Sequence, residues 1–454
     1  MLRRASDVTE ASRRSSGRFG GRRVGRWLAR PIAETRAVLE GPVVRNAAYL
    51  YGTTIVTSAL GFLYWFVAAR MVPIRAVGIA SAIQSAARLL SIFCVLGLNT
   101  LLISELPRGR RHARSLILSA AAAVGVFTLA VSGLVGIGLG TLSTSLHSGL
   151  SDSSGVIVFA LLSVFTTVML VLDDSCIGLL RGDLQLKRNT IFAVSKLLLL
   201  PLLIRVWPNP AGTELEVAWL SGLIISLIFL ARWLGQLTSG QSSRLDFRQL
   251  ITKRRLMLGH HSLNISIESS GLIMPVLVAT IVGAGANAAY TVAMLIASFV
   301  NIIPFHLSTV LFAISPGDEA TLTREVPKTM RICLVLAIVS APFFVLFSGT
   351  ILAFFGPNYE LASSALLILG FNTYPLAIKA HYVAISRVQG RMKRAALRTM
   401  VGAFLEVGFA AAGAVIYGVT GVAMGLFTAL LMEAVLYFPV VFGVLRIARM
   451  GSKE

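Results

Sequence analysis

Long apolar stretches separated by short polar ones run through most of the chain, and within each stretch the apolar residues are continuous rather than alternating. A helix that crosses a bilayer needs about 20 mostly apolar residues. Twelve stretches come close to or exceed that length: 46–69, 76–103, 115–139, 156–179, 190–206, 217–235, 263–284, 286–314, 331–354, 362–386, 395–417 and 419–445. Unbroken runs exclude a β-barrel, whose strands alternate apolar and polar positions. Pro73, Pro107, Pro208, Pro210, Pro316, Pro327 and Pro357 fall in the expected loops, where a missing N–H does no harm. Pro201, Pro275, Pro304, Pro342, Pro375 and Pro439 fall inside spans, where neighbouring helices satisfy the carbonyl a proline frees. The pattern predicts an all-α integral membrane protein of about twelve transmembrane helices.

Composition strengthens that reading. The 454 residues are 56% hydrophobic and 13% charged, with mean hydropathy +0.79. A soluble domain carries about 25% charged residues and cannot hide so much apolar surface. The net charge of +21 and pI near 10.9 resemble a nucleic-acid footprint until the charges are placed. With the N-terminus inside, 35 of the 41 Lys and Arg residues lie on inner segments and three on outer ones. That bias is the positive-inside rule, so both termini are expected in the cytoplasm and no nucleic-acid partner is implied.

Five segments follow: a basic tail 1–45, a first six-helix bundle 46–235, a cytoplasmic linker 236–262, a second six-helix bundle 263–445, and a tail 446–454. The first tail is rich in Arg, Ser and Gly and lacks the apolar core of a signal peptide. Disorder is expected over 1–25, and 26–40 is expected to touch anionic inner-leaflet lipids through its arginines, with Trp27 and Leu28 inserted. Six spans per half make parallel repeats about an axis along the membrane normal. Ala76-Val77-Gly78-Ile79-Ala80-Ser81-Ala82 in one half resembles Ala288-Ala289-Tyr290-Thr291-Val292-Ala293-Met294 in the other.

Catalytic chemistry finds no foothold. Cys94, Cys176 and Cys333 all lie in spans and show neither disulfide nor metal spacing. No phosphate-binding loop, nucleophile elbow or zinc motif is present, and the longest internal loop is too short to fold alone. No enzyme, cofactor or metal is expected.

Chemistry is instead expected at the ionisable residues inside spans: Arg88, Lys196, Lys379, Asp173, Asp174, Glu268, Glu406 and Glu433. Each is costly at the bilayer centre, by about 2.5–3.5 kcal/mol for Arg, Lys or Asp, and so should face protein or a cavity. Depth matches Asp173 and Asp174 with Lys196, and Glu268 with Lys379, as ion pairs. Arg88, Glu406 and Glu433 have no partner evident in the sequence. Arg88, Lys379 and Lys196 suit an anionic head group. Glu268, Glu406, Glu433, Asp173 and Asp174 suit either ion coupling or pairing. Asn99, Asn301 and Asn372, with Asn264, His306 and His381, either line the same cavity or bond between helices.

Phe354-Phe355-Gly356-Pro357-Asn358-Tyr359-Glu360-Leu361-Ala362 resembles the signature that polysaccharide flippases carry between spans nine and ten. Tyr417-Gly418-Val419-Thr420-Gly421-Val422-Ala423 is similar to their turn between the last two helices, and Gly390-Arg391 to their inner loop after span ten. Over about residues 43–447 the chain thus resembles the MOP superfamily, in its lipid-linked oligosaccharide branch. The resemblance implies a MATE-like fold in the cell membrane. It also implies transport of a polyprenyl-pyrophosphate-linked glycan to the outer leaflet, cationic cavity residues for the pyrophosphate, and membrane proteins of polysaccharide synthesis as partners. Alternatives are a MATE-type drug or cation antiporter, which would favour acidic cavity groups, and a non-transporting scaffold of polymer synthesis. A major-facilitator transporter is disfavoured, because Leu106 stands where the Asp of its Leu106–Arg111 loop motif belongs.

Overall fold

A computed structural model describes residues 42–107, 112–206, 212–248, 250, 254–315 and 318–451. The expected lipid-binding segment and the disorder over 1–25 lie outside the described residues, as do Arg108, Arg110 and Arg111 of the first inner loop. Among the described residues the secondary structure is helical. The helices are α1 (Pro42–Met71), α2 (Ile74–Cys94), α3 (Leu98–Glu105), α4 (Ala113–Leu142), α5 (Thr144–Leu150), α6 (Ser153–Gly178), α7 (Gly182–Val206) and α8 (Thr213–Leu237). They continue as α9 (Arg254–Ile281), α10 (Ala284–Asn301), α11 (Ile303–Ile314), α12 (Glu319–Ala353), α13 (Ser363–Phe371), α14 (Thr373–Val388) and α15 (Met392–Gly451).

Ten of the described helices are long and apolar enough to cross a membrane, or eleven if the pair 357–371 and 373–388, bent by 42°, counts as one. The last of them, α15, crosses twice. Tyr417 and Gly418 leave the helical region, with Gly418 at φ 57°, and the two arms return side by side. Gly413 touches Gly421 and Gly425 touches Phe409, backbone to backbone, while the Tyr437 hydroxyl lies 3.2 Å from the Arg398 carbonyl. The twelve expected crossings are therefore accounted for. Three starts lie well before those the apolar pattern suggested. The fifth crossing begins at Gly182 rather than 190, the seventh at Arg254 rather than 263 and the ninth at Glu319 rather than 331, because polar first turns extend these helices past the apolar run.

Several crossings are interrupted. Between α2 and α3 the chain takes left-handed values at Leu96 (φ 49°) and Gly97 (φ 75°). Breaks also separate α10 from α11 at Ile302 and α13 from α14 at Asn372. Discontinuous membrane helices are where transporters expose backbone and polar groups to a ligand path.

The second to sixth crossings share one apolar core, including Phe159, Leu162 and Leu223. A second core joins the two halves through α1, α2, α9 and α10. Here α2 and α10 approach backbone to backbone: a Cβ on Gly78 would overlap the Ala284 carbonyl. The Asn287 amide donates to the Gly78 carbonyl at 2.7 Å and to the Ser81 hydroxyl at 2.9 Å. The small-residue stretches that looked alike in sequence thus meet each other across the interface. The Phe355-Gly356-Pro357 motif lies at the same seam. Gly356 sits at φ 135°, and Phe355 packs edge-on against Phe62 and Phe66 of α1.

Candidate functional site

Residues of α1, α2, α6, α7 and α8 enclose a cavity of about 410 Å³. Arg88 and Lys196 supply its charge, Gln84 and Asn189 its amides, and Trp65 and Trp219 part of its wall. Not one of the lining residues is acidic. Lys196 is 3% exposed. Its ammonium lies 3.4 Å from the Trp219 ring centre, 4.6 Å from Tyr64 and 4.7 Å from Phe192. Phe192 and Lys196 are four apart on α7 and so share a face. Ring faces attract a desolvated cation by about 2 kcal/mol without neutralising it. Among the described residues no carboxylate pairs with Lys196. Gln84 is buried in the wall beside the Tyr64 hydroxyl.

The expected pairing of Asp173 or Asp174 with Lys196 is not what forms. Asp173 is bridged by Arg188, whose Nε donates to Oδ1 at 3.0 Å and whose Nη2 donates to Oδ2. Asn189 adds a bond to the same carboxylate at 3.3 Å. The reason is the early start of α7: counted from Gly182, Arg188 rather than Lys196 comes level with Asp173. Arg188 is fully buried, and Phe192 lies 6.0 Å beneath its guanidinium. Asp174 lies beside Asp173, Asn99, Glu268 and Arg88.

Lys379 departs from its expected partner as well. Its Nζ donates to Glu406 at 2.5 Å and lies 3.0 Å from Glu433, all three side chains being buried. The Tyr437 hydroxyl donates to Glu433 at 2.8 Å. Glu268 has the right depth but the wrong azimuth. Ile267, Ser270 and Gly271 face the Lys379 side of α9, and one residue turns a helix by about 100°. The Lys379 charge is thus consumed by two carboxylates and is not free for an anionic ligand.

The asparagines divide. Asn301 donates to the Leu369 carbonyl at 3.0 Å and accepts from Thr373 at 2.7 Å, tying α10 to the break between α13 and α14. Asn372 lines a smaller cavity of about 200 Å³ with Asn301, Lys379 and Glu406, and its Oδ1 has no partner. Of the other polar residues, His381 bonds Thr329 at 2.9 Å and the Ala377 carbonyl at 2.7 Å, an interhelical role.

Sequence reasoning missed Arg188, Gln84 and the cage of Tyr64, Phe192 and Trp219. One signal was available: Phe192 and Lys196 stand four apart and so share a helix face.

The fold is shared with solved transporters. A MOP-superfamily transporter from Pyrococcus furiosus, described as having a binding pocket of reversed polarity that suggests a different function, superposes with TM-score 0.63 at 14% identity, covering 91% of this chain and 98% of that one. An inward-facing multidrug-resistance MATE transporter gives TM-score 0.63 at 16% identity over 89% and 99% of the two chains. A Vibrio cholerae MATE transporter gives 0.60 at 15% identity over 89% and 98%. No curated protein matches the chain. The molecule is a multi-pass membrane protein with the fold of the MOP-superfamily transporters. The sequence pattern of the polysaccharide biosynthesis protein family matches residues 43–312, and the chain belongs to that family.

Proposed function

We propose that the protein moves a polyprenyl-pyrophosphate-linked oligosaccharide from the inner to the outer leaflet of the cell membrane by alternating access, with both termini cytoplasmic. One observation carries the reading: the main cavity of the first half holds Arg88 and an uncompensated Lys196 and no carboxylate. Two cations in a water-poor site suit a pyrophosphate, and the amides and tryptophans suit sugar hydroxyls and sugar faces. At about 410 Å³ the cavity accepts a head group while the polyprenyl chain stays in lipid. Membership of a polysaccharide biosynthesis family supports a glycan as cargo. The drug-antiporter reading called for acidic cavity groups, and Glu406 and Glu433 are both engaged by Lys379.

Deleting the gene tests the proposal. Lipid-linked glycan should accumulate on the inner leaflet and surface polymer should fall. Normal surface glycan with altered drug sensitivity sinks the flippase reading. Loss of polymer without inner-leaflet accumulation points to a synthesis scaffold instead.

A further inference from the structure

A second cavity, of about 760 Å³, lies apart from the transport site, between the start of α12 and the end of α15. Arg324, Lys328, Arg331 and, one turn further on, Leu334 line it from α12, and Leu445 and Ile447 from α15. The basic residues are spaced four and three apart, so they share one helix face. Glu325 engages Arg324 and Lys328, each at 2.9 Å, and leaves a net positive face. Helix α12 has 35 residues. At 1.5 Å per residue that is about 52 Å, against about 30 Å of hydrocarbon, so the helix reaches well into the head-group layer. Its sequence says which end protrudes: Glu319–Arg331 is polar, and the apolar run starts at Ile332. The three cations therefore stand at head-group depth and Leu334 at the top of the hydrocarbon. The same end of the molecule carries Arg391, Lys393 and Arg394, the basic bias that marks a cytoplasmic face.

We propose that this groove binds one anionic phospholipid of the inner leaflet, its phosphate against Arg324, Lys328 and Arg331 and an acyl chain against Leu334, Leu445 and Ile447. Charge decides against the chain's own N-terminal segment as occupant, because residues 1–41 are themselves strongly basic. An uncharged apolar partner would leave the net positive face that remains after Glu325 without a counter-charge. The groove differs from a merely basic loop in having both parts a phospholipid needs, a cationic rim and an apolar slot continuous with the membrane.

The test is native mass spectrometry of the full chain exchanged from detergent into mixed micelles with phosphatidylglycerol or phosphatidylcholine. One phosphatidylglycerol should be retained in preference to phosphatidylcholine. K328Q with R331Q should weaken that retention about 25-fold, at roughly fivefold per charge near an anionic lipid. K393Q with R394Q, which removes two charges outside the groove, should leave it unchanged. E325Q frees two cations and should tighten it, which keeps the proposal testable if the double variant fails to fold. Equal retention of both lipids overturns the proposal, as does indifference to the groove substitutions. Displacement of the lipid by millimolar inorganic phosphate also overturns it, since that outcome reveals a soluble-anion site.

Discussion

Replacing Lys379 by Met is expected to destabilise the protein strongly. The wild-type ammonium is 2% exposed and sits between Glu406 at 2.5 Å and Glu433 at 3.0 Å, themselves 3% and 2% exposed. Methionine keeps most of the volume but leaves two carboxylates facing each other out of water. Removing one partner of a buried ion pair costs about 3–5 kcal/mol, because the remaining charge is uncompensated. Whole proteins are stable by about 5–15 kcal/mol, so the loss is a large fraction. Replacing the whole set is different: K379M with E406Q and E433Q leaves no buried charge and keeps an acceptor for the Tyr437 hydroxyl. Apolar or neutral replacement of complete buried ion pairs is often neutral or stabilising. Thermal unfolding of detergent-solubilised protein, followed by size-exclusion fluorescence, should therefore rank the triple variant near wild type and K379M well below both. K379M unfolding with wild type, or the triple variant faring no better than K379M, would refute this account of the network.

Lys196 makes the opposite prediction: K196M should fold as well as wild type, since no described carboxylate depends on it, while binding of a pyrophosphate-linked glycan, read by isothermal titration, should fall about tenfold or more. D173N strands the buried guanidinium of Arg188 and should lose about 3–5 kcal/mol in denaturant unfolding; D174N, at a carboxylate no described ion pair engages, should lose much less. G78A forces α2 and α10 apart at the Ala284 carbonyl and loosens the Asn287 bonds. It should cost about 1–3 kcal/mol and raise labelling of cysteines introduced along that seam.

The crossings and the buried charges were legible because both follow from transfer energy alone: twenty apolar residues and a rare ionisable group announce themselves without a partner. What the sequence withheld were the partners. Depth counting paired Asp173 with Lys196 because apolar content starts at 190, whereas hydrogen bonding starts the helix at Gly182. Arg188, counted as a loop residue, was thereby hidden. For Glu268 the depth was adequate and the azimuth was not, since which face of α9 meets Lys379 depends on how three helices assemble. Lys196 shows a third limit. Its aromatic cage draws on α1, α7 and α8, and of its members only Phe192, four residues away, is local in sequence.

A repeat that sequence comparison barely exposed explains how the two halves use charge differently. Helix α2 begins at Ile74 and α10 at Ala284, and the left-handed turn at Leu180 recurs at Gly390, each 210 positions on. At both turns the next residue's N–H reaches back five positions, Arg181 to Cys176 and Arg391 to Ser386, both at 2.8 Å. The same displacement carries Lys196 onto Glu406, Met169 onto Lys379 and Leu223 onto Glu433. Met169 and Leu223 line the cavity beside Lys196. One architectural position is therefore filled in two ways. In the second half a lysine enters between two glutamates and pairs with both. In the first half its counterpart is a thioether, the glutamates are replaced by a lysine and a leucine, and space remains beside an unpaired ammonium. A fold-level repeat thus supplies two equivalent places for buried charge, bridged by ion pairs in the second half and, among the described residues, without a paired carboxylate in the first.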